Sequence, residues 1–442
     1  MTPDHDALAE ARARLEEGDP GESFATLRRL LRFSAGTPTR DEFVERFSLF
    51  AHLARAITGD AFGARIEAAA ARPDDAQTLF NAAYAAYEEG LHDVAATMLL
   101  RADALAPGQV AIVAELSSNL ERCMAYGFAA RAIERSGLAA RSPLCAALLG
   151  FHLLMTGDRD GARAHLPPRR DGFDAATASA RASLAAMIAR ADAIHEALPL
   201  DGDALTGWHG AINASVLLHE SPLGADAGMN GRYAYATDSA GLMHEGLERL
   251  SALLAVEGIE VARVVAAPDR ASRVLALAAG AMLSLPVAVW TPGERPEGLF
   301  VCWDLDKVGD AAFLGALRHH APGQVLFAHA SRWVDPFPYA PDVTTLLHQS
   351  CQHPYTGGAL RVDPVSFAVV RAAPDARDEA ALAAEIVAAR PGDPSRRSHD
   401  APLAVARATR ALAEADQLGL RRASGARARQ RVGGPVMSNR FA

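Results

Sequence analysis

Val261-Ala-Arg-Val-Val-Ala-Ala267 runs into Pro268-Asp269-Arg270, then ASRVLALAAGAMLSL at 271–285, then PVAVW at 286–290. A short apolar run meets a Pro-bearing turn. A segment that is apolar or small on nearly every side follows, and then a second short apolar run. This is the pattern of a β-α-β unit in a parallel sheet buried on both faces. Working outward, Ser239 caps a helix to about Glu257, with Leu242, Leu247, Leu250, Leu253 and Leu254 facing inward. On the other side come a loop over Thr291–Gly298, a strand over Leu299–Trp303, a turn over Asp304–Asp310, a helix to about His320 and a strand over Gln324–Ala328. From 240 the order is α-β-α-β-β-α-β, an α/β domain whose helices cover a largely parallel sheet. Ligands of such open sheets bind beyond the carboxyl ends of the strands, which here are Pro268–Ser272 and Asp304–Asp310.

The loop Ala267-Pro268-Asp269-Arg270-Ala271-Ser272 follows the first core strand and opens a helix, and a later strand ends in Asp304-Leu305-Asp306 with Gly309 beyond. In this the domain resembles the phosphoribosyltransferase fold. The resemblance implies a phosphate-binding site made by Asp269, Arg270, Ser272, Lys307, Gly309 and Arg232, with backbone N–H groups and Arg270 favouring an anion and Asp269 opposing one. The family's two acids are adjacent and are followed by a Thr-Gly-rich loop. Here Leu305 separates them and the Thr-Gly pair is missing, so the resemblance implies a ligand-binding fold rather than an activity.

Asp304-x-Asp306 after an apolar strand is also similar to the first motif of haloacid-dehalogenase-like phosphatases and to the metal motif of nucleotide-sugar glycosyltransferases. Both imply catalytic acids, Asp304 and Asp306, arranged around Mg²⁺ or Mn²⁺. The phosphatases need a later acidic pair, and no convincing one follows residue 310. A plainer account makes the two acids caps of the helix that follows.

His319, His320, His329, His348, Cys351 and His353 crowd together, and His348-x-x-Cys351-x-His353 has ligand-like spacing. A structural zinc site needs four defined ligands, and no second Cys-x-x-Cys or His-x-x-x-His supplies the rest, so packing histidines are the better reading. His209 and His219, on strands expected within Gly207–His219, are candidates with Arg232 for the crevice that holds Arg270. No Gly-x-Ser-x-Gly elbow anchors Ser-His-Asp chemistry. Asn230-Gly231 marks a tight turn. Trp333–Pro341 reads as a rigid extended loop, Val343–Gln349 as a short helix, Leu360–Val370 as a hairpin, Asp378–Ala389 as a helix, Pro391–His399 as a linker and Ala401–Leu420 as a last helix.

The N-terminal part is repetitive. GDAFGAR at 59–65 is answered by GDRDGAR at 157–163, 98 residues on. Ala95, Ala129 and Ala162 recur at intervals of 34 and 33, as do Leu99, Ile133 and Leu166. Small residues at one phase and large apolar ones at another suit pairs of antiparallel helices. Asn81, Ala83, Gly90, Ala95, Leu99, Ala102 and Pro107, then Leu149-Gly150, Gly157, Ala162 and Leu166, make residues 5–170 resemble tetratricopeptide repeats. The 110–142 unit departs from the pattern, with Met124 where the turn glycine belongs. The resemblance implies an α-solenoid that binds a protein or peptide on its concave face. No cluster of Arg or Asn marks a clamp for a peptide carboxylate. Pro167–Gly172 breaks the pattern, and Asp174–Ala197 reads as one long helix carrying Leu184, Met187, Ile188, Ala191 and Ile194 on one side.

The chain has 442 residues, half of them apolar, which is enough for two or three domains with real cores. The expected divisions are 1–170, helical repeats; 171–238, a bridging helix and strands attached to the second domain; 239–390, the α/β domain; and 391–442, a linker, short helix and tail. No secretion signal and no apolar run of roughly 18 residues is present, and four scattered cysteines suit reduced thiols, so a cytoplasmic protein is expected. From residue 391 on there are ten Arg against four acidic residues, leaving the body with 34 basic and 49 acidic groups. That excludes the body as a nucleic-acid surface. Arg421, Arg422, Arg427, Arg429 and Arg431 lie in a tail expected to be disordered, free to meet an acidic partner, RNA or the acidic body of its own chain. The expected function is a protein-interaction scaffold with a divergent, non-catalytic α/β ligand-binding domain. The alternative is an enzyme acting on a phosphorylated or nucleotide-linked substrate through Asp304, Asp306 and a divalent metal.

Overall fold

The computed structural model of the protein describes residues 3–293, 297–358, 360–362, 368–390 and 400–441. The chain divides into two compact units, Met1–Leu184 and Ala185–Ala442. The division falls inside the Ala175–Ala197 helix, downstream of the Pro167–Gly172 break. The N-terminal unit is helical, and the C-terminal unit is built on a parallel sheet.

In the N-terminal unit helices follow one another in pairs: Pro3–Glu16 with Pro20–Leu31, Arg40–Ile57 with Asp60–Ala71, Ala76–Glu88 with His92–Leu105, Val110–Arg122 with Tyr126–Ser136, and Pro143–Met155 with Arg159–Ala164. Local chemistry starts them. Thr39 and Glu42 form a reciprocal capping box, Ser142 accepts from the Cys145 amide, and Asp158 accepts from the Gly161 amide. Ala95, Ala129 and Ala162 are fully buried, so the recurring small phase faces the core. Gly150 serves the same end, because a Cβ there would lie 2.7 Å from Leu184 Cδ2 and 2.9 Å from the Ala162 carbonyl oxygen. Met124 turns the chain with φ 57°, the left-handed conformation that Gly90 and Gly157 take at the corresponding turns. A stacked and edge-on aromatic core, Phe43, Phe47, Phe50 and Phe62, fills the space between the first pairs.

The C-terminal unit has strands β1 (Val216–Leu217), β2 (Tyr233–Thr237), β3 (Val264–Ala266), β4 (Val287–Val289), β5 (Gly298–Asp304), β6 (Gln324–Arg332) and β7 (Val343–Gln352) in one sheet. The order is β1-β7-β6-β5-β3-β4, β2 also joins β7, and every pairing is parallel. Counted from β3, the five core strands run 2-1-3-4-5, one of the common doubly wound orders. The β-α-β unit is present as β3, the Arg270–Leu283 helix and β4, and the following elements keep the expected order. The helix is apolar all round because it is covered twice, by the sheet on one side and by the Glu379–Ala388 helix on the other. Val265, Ala267, Phe300, Cys302, Leu326 and Ala328 face one way and pack on Trp290, Phe313, Leu317 and Tyr339. Leu360–Val362 (β8) and Val369–Arg371 (β9) pair antiparallel as the expected hairpin, whose turn at 363–367 lies outside the described residues, as does the linker at 391–399.

Several expectations are corrected. Val343–Gln349 is not a helix but the first part of β7, which lies between β6 and the β1/β2 edge. All of Val343–His348 is buried, and burial on both faces erases the alternation that marks a strand. Gly207–Asn213 belongs to a helix, Leu205–Asn213, every residue of which is buried; periodicity cannot separate such a helix from a strand. Only Val216–Leu217 of that stretch is extended. The helix after Asp310 is confined to Ala311–Ala316, and the one after Ala401 runs Asp400–Ala408 before giving way to single turns.

The arginine-rich tail is folded against its own unit. Arg421 pairs with buried Glu257, and Arg427, itself buried, pairs with buried Asp342 and donates to the Leu317 carbonyl at 2.8 Å. Val432 and Val436 are buried, Asn439 donates to the Ala227 carbonyl, and Arg440 pairs with Asp335. Arg421 and Arg427 thus meet carboxylates of their own chain. Carboxylates buried without them would carry a large desolvation cost.

Candidate functional site

β3 and β5 are neighbours, yet the chain leaves β3 toward β4 on one side and returns to β5 on the other. The two turns that follow them, at Pro268 and Asp304, therefore emerge side by side, the place where open α/β sheets leave a crevice. A cleft of about 350 Å³ sits there, lined by Asp269, Arg270, Ala271, Trp303, Lys307, Cys351, Gln352, His353 and Thr356.

Each wall has a local cause. Asp269 caps the Arg270–Leu283 helix, its Oδ1 accepting from the Ser272 amide at 2.9 Å. The first amides of that helix, those of Arg270 and Ala271, have no acceptor within it, and both residues line the cleft. Ser272 is buried, and its Oγ accepts from the Trp303 amide at 2.9 Å, tying the helix start to the end of β5. Arg270 reaches over to the Arg377 carbonyl at 2.7 Å. Trp303 forms the floor; its indole N–H donates to Asp238 Oδ2 at 2.7 Å. Burial alone would raise the Asp238 carboxyl. The charge and hydrogen bond of His329, the indole and the Ser239 amide outweigh it and hold that carboxyl below its ordinary value.

The far wall comes from the end of β7. His353 packs edge-on to Trp303 with ring centres 4.8 Å apart, and its Nδ1 accepts from the Tyr355 amide at 3.1 Å. Burial pushes this imidazole down to about 4, so it is neutral near pH 7. Burial likewise pushes the Cys351 thiol well up, helped by Asp238 and Asp304, which keeps it protonated and unreactive.

Asp269, Arg270 and Lys307, among the residues expected at the site, do line this cleft, and Ser272 supports it from behind. Gly309 is exposed beyond the turn and is not among the lining residues. Asp304 faces the opposite side of the sheet. It is 1 % exposed, accepts from the Asp306 amide at 3.0 Å, and meets His348 Nε2 at 3.2 Å across small Ala330 of β6. Asp306 reaches solvent in part, but partial burial and then the charge of Asp304 push its carboxyl up to about 6. Asp304 Oδ2 is thus committed to His348, while Asp306 lies in the exposed turn beyond it. Among the described residues no three His, Cys, Asp or Glu side chains are grouped to hold a metal ion.

Arg232 is elsewhere. It is 3 % exposed, donates to the Val436 carbonyl and Ser438 Oγ at 2.7 Å each, and lies over the Trp333 ring. His209, buried beside Arg232, is pushed down to about 3. His219 lies between Glu245 and Tyr233. The His348-x-x-Cys351-x-His353 spacing is split by strand alternation, with His348 spent on Asp304 and the other two at the cleft. Sequence reasoning missed Trp303, which ends a strand it did expect, and Gln352 and Thr356, which follow a stretch it read as a helix. The β-branched run Val343-Thr344-Thr345 was the available signal.

In the N-terminal unit a groove of about 570 Å³ is lined by Arg65, Arg72, Thr78, Phe80, Asn81 and Tyr84 among others. The Asp60–Ala71 helix and its C-terminal cap supply the two arginines, and the Ala76–Glu88 helix supplies the rest. No short sequence cluster marks it because the residues come from two elements. No protein-family model matches the chain, and no curated protein matches its sequence.

Proposed function

We propose that the protein is an interaction scaffold: a tetratricopeptide-like array that holds an acidic protein segment, carrying a divergent phosphoribosyltransferase-like unit that binds a small phosphorylated ligand without transforming it. The observation that carries the second half is the disposition of charge at the switch-point cleft. Two cationic side chains, Arg270 and Lys307, and a helix N-terminus line it, while Asp304 is turned away and committed to His348. Cations and the free amides of a helix start hold an anion, which supports binding of a phosphorylated group at this cleft. The helical half is supported by the 33–34-residue spacing, by the left-handed turn at Met124 in register with Gly90 and Gly157, and by the groove bearing Arg65 and Arg72.

A thermal-shift panel of nucleotides, phosphoribosyl pyrophosphate and sugar nucleotides, with and without Mg²⁺ or Mn²⁺, tests the reading. The expected result is a metal-independent shift with a phosphorylated compound that disappears in the Arg270→Ala, Lys307→Ala double variant. Charge reversal at Arg65 and Arg72 is expected to abolish binding of acidic peptides and to leave that shift intact.

One observation favours a second reading, an enzyme on a phosphorylated or nucleotide-linked substrate. A carboxyl titrating near 6, that of Asp306, has the proton affinity of a general acid or base. Turnover lost in Asp306→Asn would establish it.

A further inference from the structure

The two edges of the large sheet differ. β4, at one edge, is three residues long and follows Pro286, two ordinary ways of keeping an edge from pairing. β2, at the other, is Tyr233-Ala-Tyr-Ala-Thr237, five residues with no charge and no proline. It pairs with β7 on one side only. Among the described residues no main-chain hydrogen bond outside the sheet reaches Tyr233–Thr237, and the one from a side chain is the Trp333 indole on the Tyr233 carbonyl at 3.3 Å. A strand paired on one side turns the amides and carbonyls of alternate residues outward, and another extended chain is what satisfies them in a row. Apolar side chains gather at the same edge. Tyr235 is 66 % exposed, and Leu223, in the loop leading to β2, is exposed as well. Met437 and Phe441 are also exposed and are held nearby. The Met437 carbonyl accepts from Asn230 Nδ2 at 2.7 Å, and the Phe441 amide donates to Gln349 Oε1 at 3.0 Å, beside the β7 residues that pair with Tyr233 and Tyr235. Open backbone groups with apolar side chains around them mark an interaction surface.

We propose that a second copy of the chain docks on this edge, the two β2 strands pairing antiparallel about a two-fold axis at Tyr235 and joining their sheets into one. The strand itself points to that occupant. A two-fold contact sets a surface against itself, so any charge near the axis meets its own like. β2 carries none, which matters in a chain of net charge −9. Its sequence is also close to palindromic. With Tyr235 on the axis, Ala234 of one copy lies opposite Ala236 of the other, Tyr233 lies opposite Thr237, and Tyr235 lies opposite itself. The two alanine pairs then share one face and the larger residues the other, where the exposed Tyr235 rings cover each other. Five residues of strand alone fall short of the roughly 1,200 Å² that stable interfaces bury, so Leu223, Met437 and Phe441 add to the contact and the association is a weak one. None of these residues lines the switch-point cleft or the N-terminal groove, so the inference stands apart from both halves of the proposed function.

Sedimentation velocity of the full chain over roughly 1–200 µM tests it. The expected result is a monomer at the bottom of the range giving way to a dimer and nothing larger, because a two-fold pairing uses up the edge. Tyr235→Lys sets like charges against each other on the axis and is expected to weaken association about tenfold or more, whereas Tyr235→Phe keeps the ring and stays within about twofold. Tyr235 is exposed, so both variants should unfold at the midpoint of the unaltered protein. In Tyr235→Cys the two thiols face each other across the axis with Cβ atoms about 5 Å apart, and mild oxidation is expected to trap a covalent dimer. The unaltered chain, whose four cysteines lie elsewhere, serves as the control. A chain that stays monomeric throughout overturns the proposal and leaves the edge to a strand of another protein. A dimer undiminished by Tyr235→Lys overturns the pairing of β2, whatever else holds the copies together.

Discussion

Asp304 and His348 come from strands two apart and meet over Ala330, with side chains 1 % and 3 % exposed. A pair so placed contributes little net stability relative to an apolar substitute, but removing one member strands the other. Asp304→Ala is therefore expected to cost about 3–5 kcal/mol in urea unfolding. Asp304→Asn, which keeps an acceptor for His348, is expected to cost clearly less; equal costs would mean that the hydrogen bond is not what the aspartate supplies. The buried histidines make a separate prediction about pH. Burial pushes His320 down to about 4 against the opposing charge of Asp342, and it pushes His353 down to about 4 also. A folded value below the unfolded 6.5 means the unfolded chain binds the proton more readily. The stabilisation is then complete above pH 6.5 and is lost as pH falls toward 4. Each histidine should remove on the order of 2 kcal/mol by pH 5. Denaturant unfolding at pH 7, 6 and 5 checks this, and a flat profile for the C-terminal unit contradicts it.

At the scale of elements, the helices of the repetitive half are legible from sequence because small and large apolar residues recur at a fixed spacing and turn residues of known preference separate them. Met124 is the exception that reports on the turn. A side chain held at φ 57° costs roughly 1–2 kcal/mol. Met124→Gly is expected to raise the stability of the N-terminal unit by about 0.5–1 kcal/mol, after allowing for the entropy glycine loses on folding. Gly246 predicts the opposite sign. It lies inside the Ala240–Glu257 helix, where alanine normally gains about 1 kcal/mol. A Cβ there would collide with the Thr345 side chain and come within 3.0 Å of His329 Nδ1. Gly246→Ala is expected to lose about 1–3 kcal/mol by overpacking, measured as a lower unfolding midpoint. β7 shows the limit of pattern reading. A strand with neighbours on both edges and burial on both faces has no polar side, so its sequence looks like that of any buried segment.

For the molecule as a whole, the last twenty-odd residues act as a strap on the C-terminal unit rather than as a free arm. Arg427 is fully buried against Asp342, whose other oxygen accepts from the Leu326 amide at 2.7 Å, and Gln324 accepts from the same guanidinium at 3.1 Å. Arg232 is held by carbonyls of 433 and 436. Ending the chain before Leu418 is expected to take Arg427 from Asp342, Arg421 from Glu257 and the 433 and 436 carbonyls from Arg232, and to yield protein whose C-terminal unit aggregates or unfolds at markedly lower temperature. In the full chain, Arg427→Ala should cost about 3–5 kcal/mol, since it leaves a buried carboxylate without its cation. A truncated chain as stable as the full one would show the strap to be ornamental. Among the described residues no helix is long and apolar enough to cross a membrane.

What the sequence by itself determined are features set by neighbours along the chain. These are the helix pairs and their 33–34-residue period, the cap at Ser239, the Asn230-Gly231 turn, and the β-α-β unit with two of its cleft residues, Asp269 and Arg270. Each follows from periodicity, turn preference or capping, which act over a few residues. Only the tertiary structure decided that Asp304 turns toward His348 and away from the cleft, that His353 closes the far wall, that Arg232 leaves the site, and that the tail arginines find Glu257 and Asp342. Those outcomes depend on strand order and on which buried charge lies opposite which, over separations of tens to hundreds of residues. The energies that select them come from desolvation and pairing in three dimensions, and no local pattern encodes them.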